Sequence, residues 1–225
     1  IINFKKNTNN HYGEYFCASS LSYFFLDYYI KKNGLNINFD KYLSYVLLAI
    51  IADVMPLRKI NRKLAIKTLE NFDFKKDHLF KEIFELKKIN RPIEIDDFGF
   101  LLAPLINSAG RLGNANDVIS LLTSSNKKLS RKLLNNLFIL NEKRKKLEDN
   151  FLNEINFKKL KENSKNILII TKNIINEGII GIIASRLKDY FNKPCIVMTK
   201  SGSLYKASAR STIEFNLGRF IKQAI

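Results

Sequence analysis

Three short stretches carry residue types that can do chemistry. The first is Asp53, at the end of Y-V-L-L-A-I-I-A-D-V-M-P-L over residues 45–57. The seven residues before it are aliphatic or Ala. An ionised carboxylate in such company is costly unless a partner, a hydrogen-bond network or a metal compensates it. Pro56 has no N–H to donate and restricts Met55, so it stops the element. Asp53 is therefore expected where a core element ends and a side chain can face a cleft. A cap of the next turn, or an ion pair with Arg58 or Lys59, fits the same spacing. The second stretch is Ser108-Ala109-Gly110-Arg111. The third is Lys206 to Ser211, K-A-S-A-R-S, expected at the end of a strand. Its two hydroxyls, one guanidinium and small residues suit a phosphate, because Arg presents a two-pronged donor to phosphate oxygens. A solvated turn has the same composition.

These residues need elements to position them. Residues 3–13 are polar and read as a loop. Tyr15 to Lys32 is apolar at helical spacing and reads as a buried helix ended by Asn33-Gly34. Asp40 is the expected cap of a helix that carries Leu43, Val46, Leu47 and Ile50 into Asp53. Asn61 is the expected cap of a helix through Leu69, and Leu79 to Lys88 forms another. Between Asp96 and Arg111 a short helix should break at Pro104, leaving Ser108-Ala109-Gly110 as a turn that presents Arg111. Asn116 or Asp117 starts a helix through Leu122. Lys128 to Leu160 has no Gly or Pro and repeats leucines at three- and four-residue steps, predicting one long amphipathic connector helix.

From residue 166 the composition changes. Ile167–Thr171 is a β-branched strand. Gly178–Tyr190 is a helix in which Gly178 and Gly181, beside Ala184 and Ser185, signal close helix packing. Cys195–Thr199 and Leu204–Ser208 are strands joined at Ser201-Gly202, and a further helix starts at Phe215. Strand, helix, strand, strand, helix is a small α/β domain.

Lys and Arg number 38 against 21 Asp and Glu, a formal net charge of +17. That excess favours a polyanionic partner, nucleic acid first, although heavy use of Lys, Asn and Ile also fits an AT-rich coding bias. Cys17 and Cys195 are the two cysteines, both in apolar context and neither in a C-x-x-C pair. This argues for a reducing, cytoplasmic setting and against a zinc site. The apolar run before Asp53 is too short to span a bilayer. His11 and His78 read as loop or surface residues. The chain opens Ile1-Ile2-Asn3 and is expected to be cut from a longer protein.

Taken in order, I-A-D-V-M-P-L with Asn61-Arg62, A-P-L-I-N-S-A-G-R-L, E-G-I-I-G-I-I-A-S-R-L and K-A-S-A-R-S resemble the RecJ-type single-strand-specific exonucleases of the DHH phosphoesterase superfamily. The resemblance implies an α/β fold: the mostly helical C-terminal part of a DHH domain at 1–125, a connector helix at 126–163, and an incomplete DHH-associated nucleic-acid-binding domain at 164–225. It implies an exonuclease that degrades single-stranded DNA 5′-to-3′ to mononucleotides in DNA repair and recombination, with two Mn2+ or Mg2+ ions. Its partners would be single-stranded DNA with a 5′ end, a single-strand-binding protein and a helicase. Asp53 would be catalytic and metal-ligating, and Arg111, Ser208 and Arg210 would bind substrate, the last two at the 5′ phosphate. The family's Asp-His-His motif would lie before Ile1, so this segment alone is expected to be inactive. Ile175-Asn176 replaces the family's Trp-His, no Arg precedes Asn107, and Ala207 and Ala209 replace its usual glycines. Two alternatives remain at this level: a superfamily phosphodiesterase acting on short oligonucleotides or cyclic dinucleotides, and a non-catalytic nucleic-acid-binding relative.

Overall fold

A computed structural model describes residues 15–163 and 166–224. The chain forms two compact units, one taking in residues up to 107 and 118–135, the other residues 108–117 and 136 onward.

The first unit is helical. Helices α1 (Ala18–Lys32), α2 (Leu43–Ala52), α3 (Lys59–Asn71) and α4 (His78–Leu86) lie in it, with α5 (Ala103–Leu112), α6 (Ala115–Thr123) and α7 (Lys127–Asn153) running across the unit boundaries. Leu43, Val46 and Ile50 of α2 pack with Cys17, Tyr23 and Leu64. The α1 helix is less buried than its composition predicts. Ser20 and Tyr23 are covered, but Phe25, Leu26, Tyr28 and Tyr29 are exposed. A helix that is apolar all round still offers only one stripe to a single neighbour.

Two expected caps are not caps. Asp40 opens a 3-10 turn without capping it, and its carboxylate accepts from Tyr23 Oη at 3.0 Å and Lys67 Nζ at 2.7 Å. Asn61 lies inside α3, fully buried, and its Nδ2 donates to the carbonyls of Tyr15 and Pro56. It thereby holds the segment after Asp53. Asp77, not singled out above, caps α4 by accepting from the N–H groups of Leu79 and Phe80. His78 opens that helix and faces Glu82 at 3.7 Å; His11 lies outside the described residues.

The end of α2 goes against a local backbone preference. Met55 N–H bonds Ile50 O at 3.0 Å and Val54 N–H bonds Ile51 O at 3.1 Å, the double bond pattern of a Schellman ending. The left-handed position of that motif is normally Gly, yet here it is Val54 at φ +52°. A β-branched residue there is strained. Val54 is 87% exposed, so it gains no burial in return. Val54→Gly should therefore raise stability by about 1 kcal/mol, strain relief outweighing the extra unfolded-state entropy of glycine. A urea midpoint equal to or below wild type would show that this ending is unstrained.

The break expected at Pro104 does not occur. Asp97–Leu102 is a π-helical stretch that runs directly into α5, so Ser108, Ala109 and Gly110 are helical rather than a turn. Proline has no N–H, and the widened π turn before it removes the need for one. Asp97 anchors the stretch, buried and gripped by both Nη atoms of Arg91 at 2.8 and 2.9 Å.

In the second unit, β1 (Leu168–Lys172) pairs parallel with β2 (Cys195–Ser201), which pairs antiparallel with β3 (Leu204–Arg210). Helix α9 (Ile180–Phe191) connects β1 to β2 and buries Ile180, Ile183, Ala184 and Leu187 with Leu168, Cys195, Val197 and Phe151. Both cysteines are free and buried, and burial pushes the Cys195 thiol up to about 11. The connector helix stops earlier than predicted, at Asn153, and α8 (Phe157–Asn163) restarts after a short break. Asn153 and Asn156 flank that break, and Asn favours helix ends over interiors. Helix α10 (Leu217–Ala224) closes the described chain. Among the described residues, no helix is long and apolar enough to cross a membrane.

Candidate anion-binding site

The site is built on the first turn of α9. Asn176 accepts from Gly178 N–H through its side chain at 2.9 Å, and Ile182 and Ile183 both donate to Ile179 O. The N–H groups of Ile180 and Gly181 have no acceptor among the described residues. Such orphan donors, with the helix dipole behind them, attract anions.

Three predicted residues converge there. Strand β3 extends to Arg210, two residues further than expected, so Ser208 and Arg210 point to one face of the sheet, opposite Val197 and Cys195 in register. A Cβ on Gly181 would meet Arg210 Nη2 at 3.0 Å and Ser208 Oγ at 3.1 Å. Glycine at 181 is thus the floor of the site, not the helix-packing contact its surroundings suggest. Arg210 Nη1 donates to Ser208 Oγ at 3.1 Å and to Ala209 O at 2.9 Å. Arg111 arrives from α5 and donates from Nη1 to Gly178 O at 3.1 Å.

Gly178 is where close packing is real. A Cβ there would lie 2.0 Å from Arg111 O and 2.7 Å from its carbonyl carbon. The main chain of Arg111 therefore rests on the loop that leads into α9.

The electrostatics match the geometry. Arg111 is held below the ordinary arginine value, first by partial burial and then by repulsion from Arg144 and Arg210, with Glu148 opposing. Arg144 is already paired with Glu148, so the cations left to attract an anion here are Arg111 and Arg210. Beside them is an open cleft of about 570 Å3 lined by Arg111, Asn176, Glu177, Gly178, Lys200 and Lys206. Its one carboxylate, Glu177, accepts from Lys206 Nζ at 2.7 Å and Ser201 Oγ at 2.6 Å, which hold it below the usual glutamate range.

Asp53 belongs to the other unit. It is exposed at the end of α2, not buried as the flanking residues suggest, because the Schellman ending turns the chain outward. Its carboxylate forms no hydrogen bond or ion pair among the described residues, so neither the cap nor a pairing with Arg58 or Lys59 is made; Lys59 instead stands over the Tyr15 ring at 5.3 Å. No group of three or more His, Cys, Asp or Glu among the described residues could hold a metal ion. Asp53 is a suitable oxygen donor for Mg2+ or Mn2+, but one carboxylate does not build a centre.

Sequence reasoning also missed a buried charge group on α7. Glu148 is fully buried, paired with Arg144 one turn away and with Arg186 of α9. An R-x-x-x-E spacing in so charged a helix reads as a solvated face, so nothing in the sequence marks it.

The fold is α/β in two compact units, and the candidate site groups Arg111, Ser208 and Arg210 around the start of α9. The chain is 33% identical over 184 residues to the single-stranded-DNA-specific exonuclease RecJ of Haemophilus influenzae, covering 77% of this chain and 32% of that protein. It is 31% identical over 183 residues to the protein of the same name from Bacillus subtilis, covering 79% and 23%. Crystal structures of RecJ from Thermus thermophilus in complex with Mg2+ and with Mn2+ both match with a TM-score of 0.72 at 24% identity, over 87% of this chain and 30% and 29% of those chains. No family model matches. The chain belongs to the RecJ family of exonucleases. It spans about a third or less of the length of the curated relatives it matches.

Proposed function

We propose that this chain carries the terminal-phosphate seat, and one metal-ligating carboxylate, of an enzyme that degrades single-stranded DNA from its 5′ end to mononucleotides. The observation that carries this reading is that Ser208 and Arg210 meet above Gly181 in the first turn of α9, while Arg111 is anchored to Gly178 O in the loop before it. A terminal phosphate has more negative charge than an internal diester and leaves more oxygens free for donors. A seat of two guanidiniums, a hydroxyl and two amides therefore selects ends over middles. Binding the end there orients the strand, and the order of degradation follows from that orientation.

Asp53 takes one ligand position in a centre of Mg2+ or Mn2+ ions, two in number by this reading. Such ions supply an activated water and neutralise charge on the leaving oxygen. The RecJ names of the relatives favour this reading over a phosphodiesterase of short or cyclic oligonucleotides.

The test compares 5′-phosphorylated and 5′-hydroxyl single strands in the full-length protein at one salt concentration, since salt alone changes DNA affinity. Arg210→Ala should cost about 1.5–3 kcal/mol on the phosphorylated strand, the usual worth of a hydrogen bond to a charged group, and little on the hydroxyl strand. Arg210→Lys keeps the charge but loses the two-pronged geometry and should already weaken binding. An equal loss on both substrates would mean that Arg210 contacts the backbone generally, and the end-recognition reading would fall.

A further inference from the structure

A fully buried carboxylate needs a reason, because burial of charge is rarely stabilising on its own. Glu148 has no exposed side-chain surface. Arg144, whose side chain is 12% exposed, pairs with Oε1, and its Nε donates to Asn141 Oδ1 at 3.1 Å. Arg186 Nη2 stands 3.1 Å from Oε2, at ion-pair distance but without hydrogen-bond alignment, and its Nη1 lies 3.7 Å from Asp149. The group thus links α7 to α9.

Helix α7 also holds the other side of the anion seat. Ser108 Oγ of α5 donates to Leu137 O of α7 at 3.3 Å. A Cβ on Gly113, just beyond α5, would come within 2.8 Å of Leu140 on α7. One helix therefore fixes the end of α5, which carries Arg111, and α9, whose first turn is the floor beneath Ser208 and Arg210. We propose that Glu148 is the positioning residue of the terminal-phosphate seat, setting α9 against α7 so that Arg111 and Arg210 face the same phosphate. The inference rests on the terminal-phosphate reading above.

Charge alone and positioning predict opposite signs. Removing the Glu148 carboxylate raises the net positive charge beside the seat, which by itself would strengthen phosphate binding. Loss of positioning would weaken it. The experiment measures kcat/KM on 5′-phosphorylated and 5′-hydroxyl oligothymidylate with the full-length protein as wild type, Glu148→Gln, Arg186→Met and Arg210→Ala. Glu148→Gln should lower the preference for the phosphorylated strand by about tenfold, mainly through KM, as small displacements of binding groups do. Arg186→Met should shift it in the same direction. It keeps the apolar stem and leaves Glu148 paired with Arg144 but also removes a positive charge, so Arg186→Lys is measured beside it: there charge alone predicts no change and positioning predicts a loss, which decides the matter if Glu148→Gln does not fold. An unchanged or increased preference in a folded variant overturns the inference. If Arg210→Ala removes the preference while Glu148→Gln and Arg186→Met keep it, only the positioning role fails. If Arg210→Ala itself leaves the preference intact, the terminal-phosphate reading fails and takes this inference with it.

Discussion

Replacing Asp53 with Ala in the full-length protein is expected to abolish metal-dependent cleavage while leaving the fold slightly more stable. The carboxylate sits at the C-terminal end of α2, where the helix dipole disfavours negative charge, and no group among the described residues pairs with it. Next to it stands Val54 in a left-handed conformation. Local rules broken together, without local compensation, are a mark of a functional position. Removing the charge should therefore gain about 0.3–1 kcal/mol by the dipole argument. If Asp53 ligates the metal as proposed, its removal should cost several kcal/mol of transition-state stabilisation, roughly a thousandfold in turnover. The checks are a urea titration and a nucleotide-release assay with saturating Mn2+. Near wild-type release would show that Asp53 ligates no essential metal.

The second large effect is expected at Gly178. An added Cβ meets main-chain atoms of Arg111, not a side chain that could swing away. Gly178→Ala must separate the end of α5 from the loop before α9, and should destabilise the second unit by about 3 kcal/mol or more, the upper range for overpacking. Gly110→Ala is the internal control. It lies in α5 with nothing within 4 Å of an added Cβ, and alanine should gain about 0.5–1 kcal/mol there. Thermal unfolding of both variants checks the pair. If Gly178→Ala melts with wild type, the main-chain contact beneath Arg111 does not exist.

Some of the site was legible before any coordinates. Arg111, Ser208 and Arg210 were singled out by side-chain type, but a solvated turn has the same composition, and it was the order of the four motifs that pointed to RecJ-type exonucleases. Their meeting point was not legible. Gly181 looks like any small residue of an apolar helix, and its place under Arg210 depends on the register of β3 against β2 and on where α9 begins. The misread Pro104 shows the same limit. A proline at that spacing argues for a break, and only the π stretch before it makes continuity possible.

The sequence by itself determined the elements and the chemistry available: apolar periodicity placed the helices within a few residues, β-branched runs placed the strands, and side-chain type set what Asp53, Arg111, Ser208 and Arg210 can do. The tertiary structure alone decided which groups are buried, paired or free. Asp53 follows an apolar run yet is exposed, because the α2 ending turns it outward; Glu148 lies in a charged helix yet is buried, because α9 covers it. Periodicity and side-chain type are local properties of the chain. Burial and charge pairing depend on which segment packs on which, and residues as far apart in the chain as Glu148 and Arg186 meet only when the fold is complete.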